Sequence, residues 1–139
     1  VNAPSMARAA GITMRETSCI DTDEYVNLIT LSCDDHSISG TLAGRRREPR
    51  VVEVDDHAFD VPPAEHMLVI SNDDRPGVIG TVGVLLGDAG VNIADMDVGR
   101  VASKGTAVML LAVTAEVPAE VIEALRAAPG VLSVKVLRS

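Results

Sequence analysis

Apolar positions recur with two different periods along the second half of the chain, and the switches between them mark out its elements. "HMLVIS" (66–71) is a short apolar run that predicts a strand. At 100° per residue, Val78, Ile79, Val82, Leu85, Leu86 and Ala89 then fall within one broad stripe, predicting a helix over 75–89 with Asp74 as its cap. "VNIADMDVG" (91–99) and "GTAVMLLAVT" (105–114) return to strand patterning, with "SKG" turning between them. Pro118 opens a second helix, "PAEVIEALRAA", which Pro129-Gly130 stops, and "VLSVKVLR" closes the chain as a strand. The order is βαββαβ, a ferredoxin-like arrangement. In "TAVMLLAV" apolar side chains point both ways, so this strand should be covered on both faces. Two helices account for one face, and something else must cover the other. Ser133 and Lys135 give the last strand one wetter face.

The pattern changes at "DVPPAE" (60–65), where two prolines can neither donate to a ladder nor continue a helix, so a boundary is placed there between a unit of residues 1–62 and one of 63–139. Upstream, Asn2 can cap a short helix with Pro4 in its first turn, and Gly11 can end it. "ITMRET" and "YVNLITLS" read as strands, followed by "SISGTL" and "RVVEV", and "DDH" turns the chain into "AFDV" as a hairpin. Few large side chains support this first unit, which suits a part of a domain whose other strands precede it. With no initiator Met at Val1, the chain reads as starting inside a longer protein. The fold class expected is α+β.

Within the first C-terminal helix, Gly80, Gly83 and Gly87 form a second stripe, although each should cost about 1 kcal/mol against alanine. A bare stripe lets another backbone approach closely. The partner is either the second helix of the same unit, or a neighbouring subunit or ligand.

Composition narrows the chemistry. A formal charge of −8, one Tyr, one Phe and no Trp argue against nucleic-acid binding, since phosphates would be repelled and bases would find almost nothing to stack on. No apolar run approaches the ~20 residues of a membrane span. Cys19 and Cys33 show no metal-ligand or CxxC spacing, which suits a reducing compartment, and no metal is expected. "GVIGTVG" lacks the one-residue glycine gap of a dinucleotide loop, and His36, His57 and His66 show no acidic orienter or nucleophile in the sequence. No catalytic residues are assigned, and no cofactor is expected in this chain.

What the sequence does offer is a binding site. Asn72, Asp73 and Asp74 form a polar loop ahead of the helix, whose first-turn N–H groups and dipole can receive a carboxylate, while an aspartate holds an ammonium. Asn92, just beyond Gly90, adds an amide that both donates and accepts. "GRRREPR" concentrates arginines in an otherwise acidic chain: either a solvated hairpin tip or an anion site, with Arg47 and above all Arg50, beside "VVEV", as candidates.

The stretch "NDDRPGVIGTVGVLLGDAGVNIADMDVGR" (72–100) resembles the ACT domain, a small regulatory module that senses amino acids. "YVNLITL", "SGTLAG" and "REPRVVEVD" resemble the second half of the α/β intervening domain, an allosteric substrate-binding-like domain, of the long-form D-3-phosphoglycerate dehydrogenase family, and together the two resemblances cover nearly the whole chain. The resemblance implies a regulatory region lacking the catalytic domains of a cytoplasmic, NAD-dependent enzyme of serine synthesis. It implies a homo-oligomer through the ACT domain, with L-serine or a similar small amino acid held between two copies. Carried over, the effector residues are Asn72, Asp73, Asp74, Pro76, Gly77, Val78 and Asn92. Some serine-sensitive members have histidine at the position of Asn72 and asparagine at that of Asp74; Asn92 matches. In some members the intervening domain is associated with a second, anionic site, which would fall at Arg47 and Arg50. Two alternatives stand beside this reading: an oligomerisation module that binds nothing, and the regulatory piece of another amino-acid enzyme such as a serine dehydratase.

Overall fold

Eight strands and three helices are built by these patterns in a computed structural model that describes residues 2–13, 15, 25, 27–101 and 105–138. After a short helix α1 (Ala3–Ala9), strands β1 (Ile29–Cys33), β2 (His36–Ala43), β3 (Glu48–Val54) and β4 (His57–Val61) form an antiparallel meander in the order β1-β2-β3-β4. The second half supplies β5 (His66–Asp73), α2 (Val78–Asp88), β6 (Ile93–Val101), β7 (Thr106–Val113), α3 (Ala119–Ala127) and β8 (Val131–Arg138), with sheet order β6-β7-β5-β8. All its strand pairs are antiparallel, and both helices pack on one face, giving the α+β, ferredoxin-like fold that the sequence pattern predicts. The described residues include no helix long and apolar enough to cross a membrane.

The alternation of side chains along β5 and β7 creates two cores. Leu68, Ile70, Met109 and Leu111 point to the helices, where Val82, Leu86, Ile122 and Leu125 meet them. Met67, Val69, Val108, Leu110 and Ala112 point the other way and bury against Val51, Val54, Phe59 and Val61 of β3 and β4. The partner of the two-faced strand is therefore this chain's own N-terminal sheet. Two-faced apolarity alone does not require a second subunit.

Several expectations change at the element ends. The strand "YVNLITLS" begins only at Ile29, and Asn2 makes no side-chain cap bond to α1. Residues 12, 13 and 15 of "ITMRET" lie outside any strand, and the rest of that stretch, like Cys19 and the Ser103 and Lys104 of the expected "SKG" turn, falls outside the described residues. Helix α2 starts at Val78 rather than 75, with Gly77 and not Asp74 at its N-cap; Gly77 is left-handed at φ +97° and no side chain caps the helix. The Pro76-Gly77 turn uses up the residues that a cap at Asp74 would have placed in the first turn. In α2, Val78, Val82 and Leu86 are buried, but Ile79 is 44% exposed and Ala89 is exposed, so the core stripe is narrower than its hydrophobic pattern. Nor do Gly80, Gly83 and Gly87 face α3. A Cβ at any of them would meet nothing within 4 Å.

Candidate functional site

At the head of α2 the chain folds a small recess. The loop 72–77 is tied down on both sides: Asp73 N–H donates to Gly130 C=O at 2.8 Å, and Asp74 N–H donates to Gly105 C=O at 3.0 Å. Arg75 N–H bonds Asp73 C=O at 2.9 Å, and its guanidinium lies against Gly130, where a Cβ would come within 3.0 Å. The half-open hollow, about 230 Å³, has Asn72, Val98 and Ala107 as its less exposed lining and Asp74, Arg75, Pro76, Gly77 and Ile79 around the rim. That is below the ~300–1,000 Å³ of pockets for drug-sized ligands, so the space suits a small molecule.

Asn72 gives the recess its chemical demand. Its side chain is 3% exposed and lies where β5 pairs with both Ala107 and Val131. Nδ2 donates to Asp73 C=O at 2.7 Å, but the buried Oδ1 accepts no hydrogen bond from any described residue. An unmet buried acceptor costs about 1–3 kcal/mol, which a ligand N–H or O–H placed there would relieve. Beside it, the first intrahelical bond of α2 is Thr81 N–H to Gly77 C=O at 2.9 Å. The N–H groups of Val78, Ile79 and Gly80 thus have no carbonyl one turn back, and carry the positive end of the helix dipole. One donor-seeking oxygen next to several acceptor-seeking amides matches a zwitterion better than a simple anion.

The structure gathers some of the expected residues and separates others. Asn72, Asp74, Pro76 and Gly77 line the recess. Asp73 turns its carboxylate to Arg75 Nε at 3.7 Å, and the Val78 side chain is buried in the helix-side core, so Val78 can contribute only its N–H. Asn92 is exposed and precedes Ile93, which pairs with Val113, whereas Asn72 pairs with Ala107. Six strand residues separate the two levels, roughly 20 Å along β7 at ~3.3 Å per residue. Within one chain, Asn92 is not part of this site. Arg75, Ile79, Val98 and Ala107 were missed from sequence. Period-two counting along β6 and β7 would put Val98 and Ala107 on known faces, but their approach to the loop depends on strand order.

Other candidates resolve differently. Arg50 is partly buried, with Nη2 3.8 Å from Glu48 and Nη1 3.7 Å from Asp60, so two carboxylates already balance it. With Arg47, itself left-handed at φ +53°, it edges a wider hollow of about 890 Å³ walled by Ile29, Leu31, Leu42 and Pro49. His36, contrary to the sequence expectation, does meet a carboxylate: Nδ1 lies 3.1 Å from Asp55 Oδ2, which also holds Lys135 Nζ at 3.1 Å. The Asp55 carboxyl is raised by burial but lowered more by Ser37 N–H, Lys135 and His36, and it ends below its ordinary 3.8. Among the described residues no group of three or more His, Cys, Asp or Glu suits a metal ion. "GVIGTVG" lies at the start of α2 with its glycines facing open space, and its flanking strands β5 and β6 both pair antiparallel to β7, so no crevice forms between parallel strands.

Residues 66–130 match the family model for the ACT domain. The chain is 36% identical over 139 residues to the D-3-phosphoglycerate dehydrogenase of Methanocaldococcus jannaschii, covering 99% of this chain and 26% of that protein. It is 37% identical over 122 residues to the D-3-phosphoglycerate dehydrogenase of Synechocystis sp., covering 85% and 22%. For the enzyme of the same name from Bacillus subtilis the figures are 32% over 141 residues, covering 99% and 27%. The chain spans about a quarter of the length of the relatives it matches, in their C-terminal part. Residues 66–130 are therefore an ACT domain, within a chain homologous to the C-terminal regulatory region of long-form D-3-phosphoglycerate dehydrogenases.

Proposed function

We propose that this chain is the amino-acid-sensing and oligomerising regulatory region of a cytoplasmic, NAD-dependent D-3-phosphoglycerate dehydrogenase, and that L-serine, or an amino acid as small, binds in the recess at the head of α2. The buried, undonated Oδ1 of Asn72 carries this reading. The α2 amides receive the ligand carboxylate, Asp74 stands at the rim for the ammonium, and Asn72 Oδ1 accepts from the ammonium or the hydroxyl. Nothing in the recess itself performs chemistry; catalysis and NAD belong to the catalytic domains of the parent enzyme.

A second copy completes the site. Among the described residues strand β6 ends its sheet with one edge unpaired, and Met96 and Val84 stand exposed, Val84 by 60%. Antiparallel pairing of β6 with the β6 of a second copy would make one continuous sheet. It would also carry the partner's Asn92 toward the end of the strand where Asn72 lies. The roughly 20 Å separation within one chain then becomes closeness between two.

Calorimetric titration of L-serine into wild type, Asn72→Ala and Asn92→Ala tests both parts. Losing one hydrogen bond to a charged ligand typically costs ~1.5–3 kcal/mol, so each substitution should weaken binding about tenfold or more. Binding that survives both unchanged would place the site elsewhere, with the hollow at Arg50 next to be searched. If no amino acid raises the melting temperature, the chain is an oligomerisation module alone. A monomer at tens of micromolar in sedimentation would remove the shared site.

A further inference from the structure

Strand β6 touches the recess with one face and the N-terminal sheet with the other, within two consecutive residues. Val98 lines the recess, while Gly99, pointing the opposite way, is buried under β4. A Cβ on Gly99 would stand 3.0 Å from His57 Cβ, 3.2 Å from the Ala58 carbonyl oxygen and 3.3 Å from Phe59 Cζ. Two of those contacts are with fixed parts of β4, so only a glycine lets the strands approach this closely. The neighbouring residue adds a polar tie. Asp97 Oδ1 accepts Val98 N–H at 2.7 Å and its Oδ2 accepts Asp60 N–H at 2.9 Å, so one carboxylate holds both the peptide of a recess residue and the backbone of β4.

Resting on the amino-acid reading of the recess, we infer that the Asp97–Gly99 segment of β6 couples recess occupancy to the seat of the N-terminal sheet. A ligand that presses on Val98 shifts or twists the strand at that residue. The same displacement reaches Asp97 and Gly99 on the opposite face, and β4 is packed too tightly there to absorb it without moving. The coupling is reciprocal: whatever loosens β4 on β6 must alter the recess and its affinity. It operates only if the ligand prefers one arrangement of β6 over another.

The experiment is amide hydrogen–deuterium exchange, read by mass spectrometry, on wild type, Gly99→Ala and Asp97→Asn. In wild type, saturating L-serine should slow exchange in residues 72–80 and also change it in residues 57–61. In both variants the serine effect on 72–80 should persist while the effect on 57–61 is lost, and serine affinity should change about fivefold, the lower end of typical coupling. A ligand-free arm stands on its own: without serine, either variant should speed exchange at 57–61 and also at 72–80. Should Gly99→Ala fail to fold, Asp97→Asn, which adds no heavy atom to the packed face, decides. Serine protection of 72–80 with no change at 57–61 overturns the coupling, and so does faster exchange confined to 57–61 in the ligand-free variants. If serine protects neither segment, the effector reading fails, and the ligand-free arm alone decides the coupling.

Discussion

The left-handed φ of +97° at Gly77 determines where the recess is. It turns the chain off the Pro76 peptide and starts α2 three residues later than a cap at Asp74 would allow, which leaves Asn72 buried behind the loop. A side chain at Gly77 would touch nothing within 4 Å, so the demand for glycine comes from the backbone rather than from crowding inside the chain. Gly77→Ala should therefore cost about 1–2 kcal/mol, the penalty of a left-handed L-residue, and lower the melting temperature in calorimetry. Asn72 was legible as a polar loop residue and as a candidate ligand. Its burial was not, because that follows from β5 being flanked by both β7 and β8, and neighbour strands cannot be counted from a local pattern.

Helix α2 shows an element whose stability and surface pull in opposite directions. Gly80, Gly83 and Gly87 lower its intrinsic propensity, and no backbone among the described residues needs the space they leave. The sequence stripe left open whether α3 or something outside the chain was the partner, and α3 does not occupy it. Gly83→Ala should raise the melting temperature of dilute protein, by up to ~1 kcal/mol of added stability. If a second copy packs on this flank, the same substitution should weaken self-association in sedimentation. A variant that is more stable and associates as tightly as wild type would show that the stripe is not a contact surface. Periodicity found α2 but started it three residues early and overestimated its core face, since Ile79 stays partly exposed at the rim of the recess.

At the scale of the whole molecule, the ACT sheet serves two layers at once. Leu110 is fully buried and faces the N-terminal sheet, whereas its neighbours Met109 and Leu111 face the helices. Leu110→Ala should destabilise by roughly 2–5 kcal/mol through lost burial and a residual cavity. Because both sheets share that core, a single cooperative transition should move; two separated transitions in calorimetry would show that the layers fold independently. At the rim of the same contact, Asp55 on the β3–β4 turn holds Lys135 of β8. Its folded pKa is depressed below the 3.8 of the unfolded chain, so its contribution is complete above that pH and vanishes as pH falls through the folded value. Asp55→Asn, which keeps a residue tolerant of the left-handed turn, should cost at most about 1 kcal/mol at neutral pH for this partly exposed pair. It should also flatten the loss of stability below pH ~4, measured by denaturant titration across pH.

The sequence by itself determined the βαββαβ order of the second half, the α+β class and the polar loop Asn72–Asp74 ahead of α2, while the family resemblance pointed to Pro76 and Gly77. The element order and the loop rest on local information: a period of apolar positions and a polar loop before a helix. Tertiary structure alone decided which strands neighbour which. It therefore decided that β3 and β4 cover the second face of β7, that the glycine stripe of α2 meets no backbone among the described residues, and that Asn92 lies at the far end of the sheet from Asn72. Contacts between strands distant in sequence depend on sheet order and register, and a one-residue change in register exchanges the faces of every side chain. That is why Val98 and Gly99, ordinary neighbours in the sequence, stand in the structure on opposite sides of one strand, one in the recess and one beneath β4.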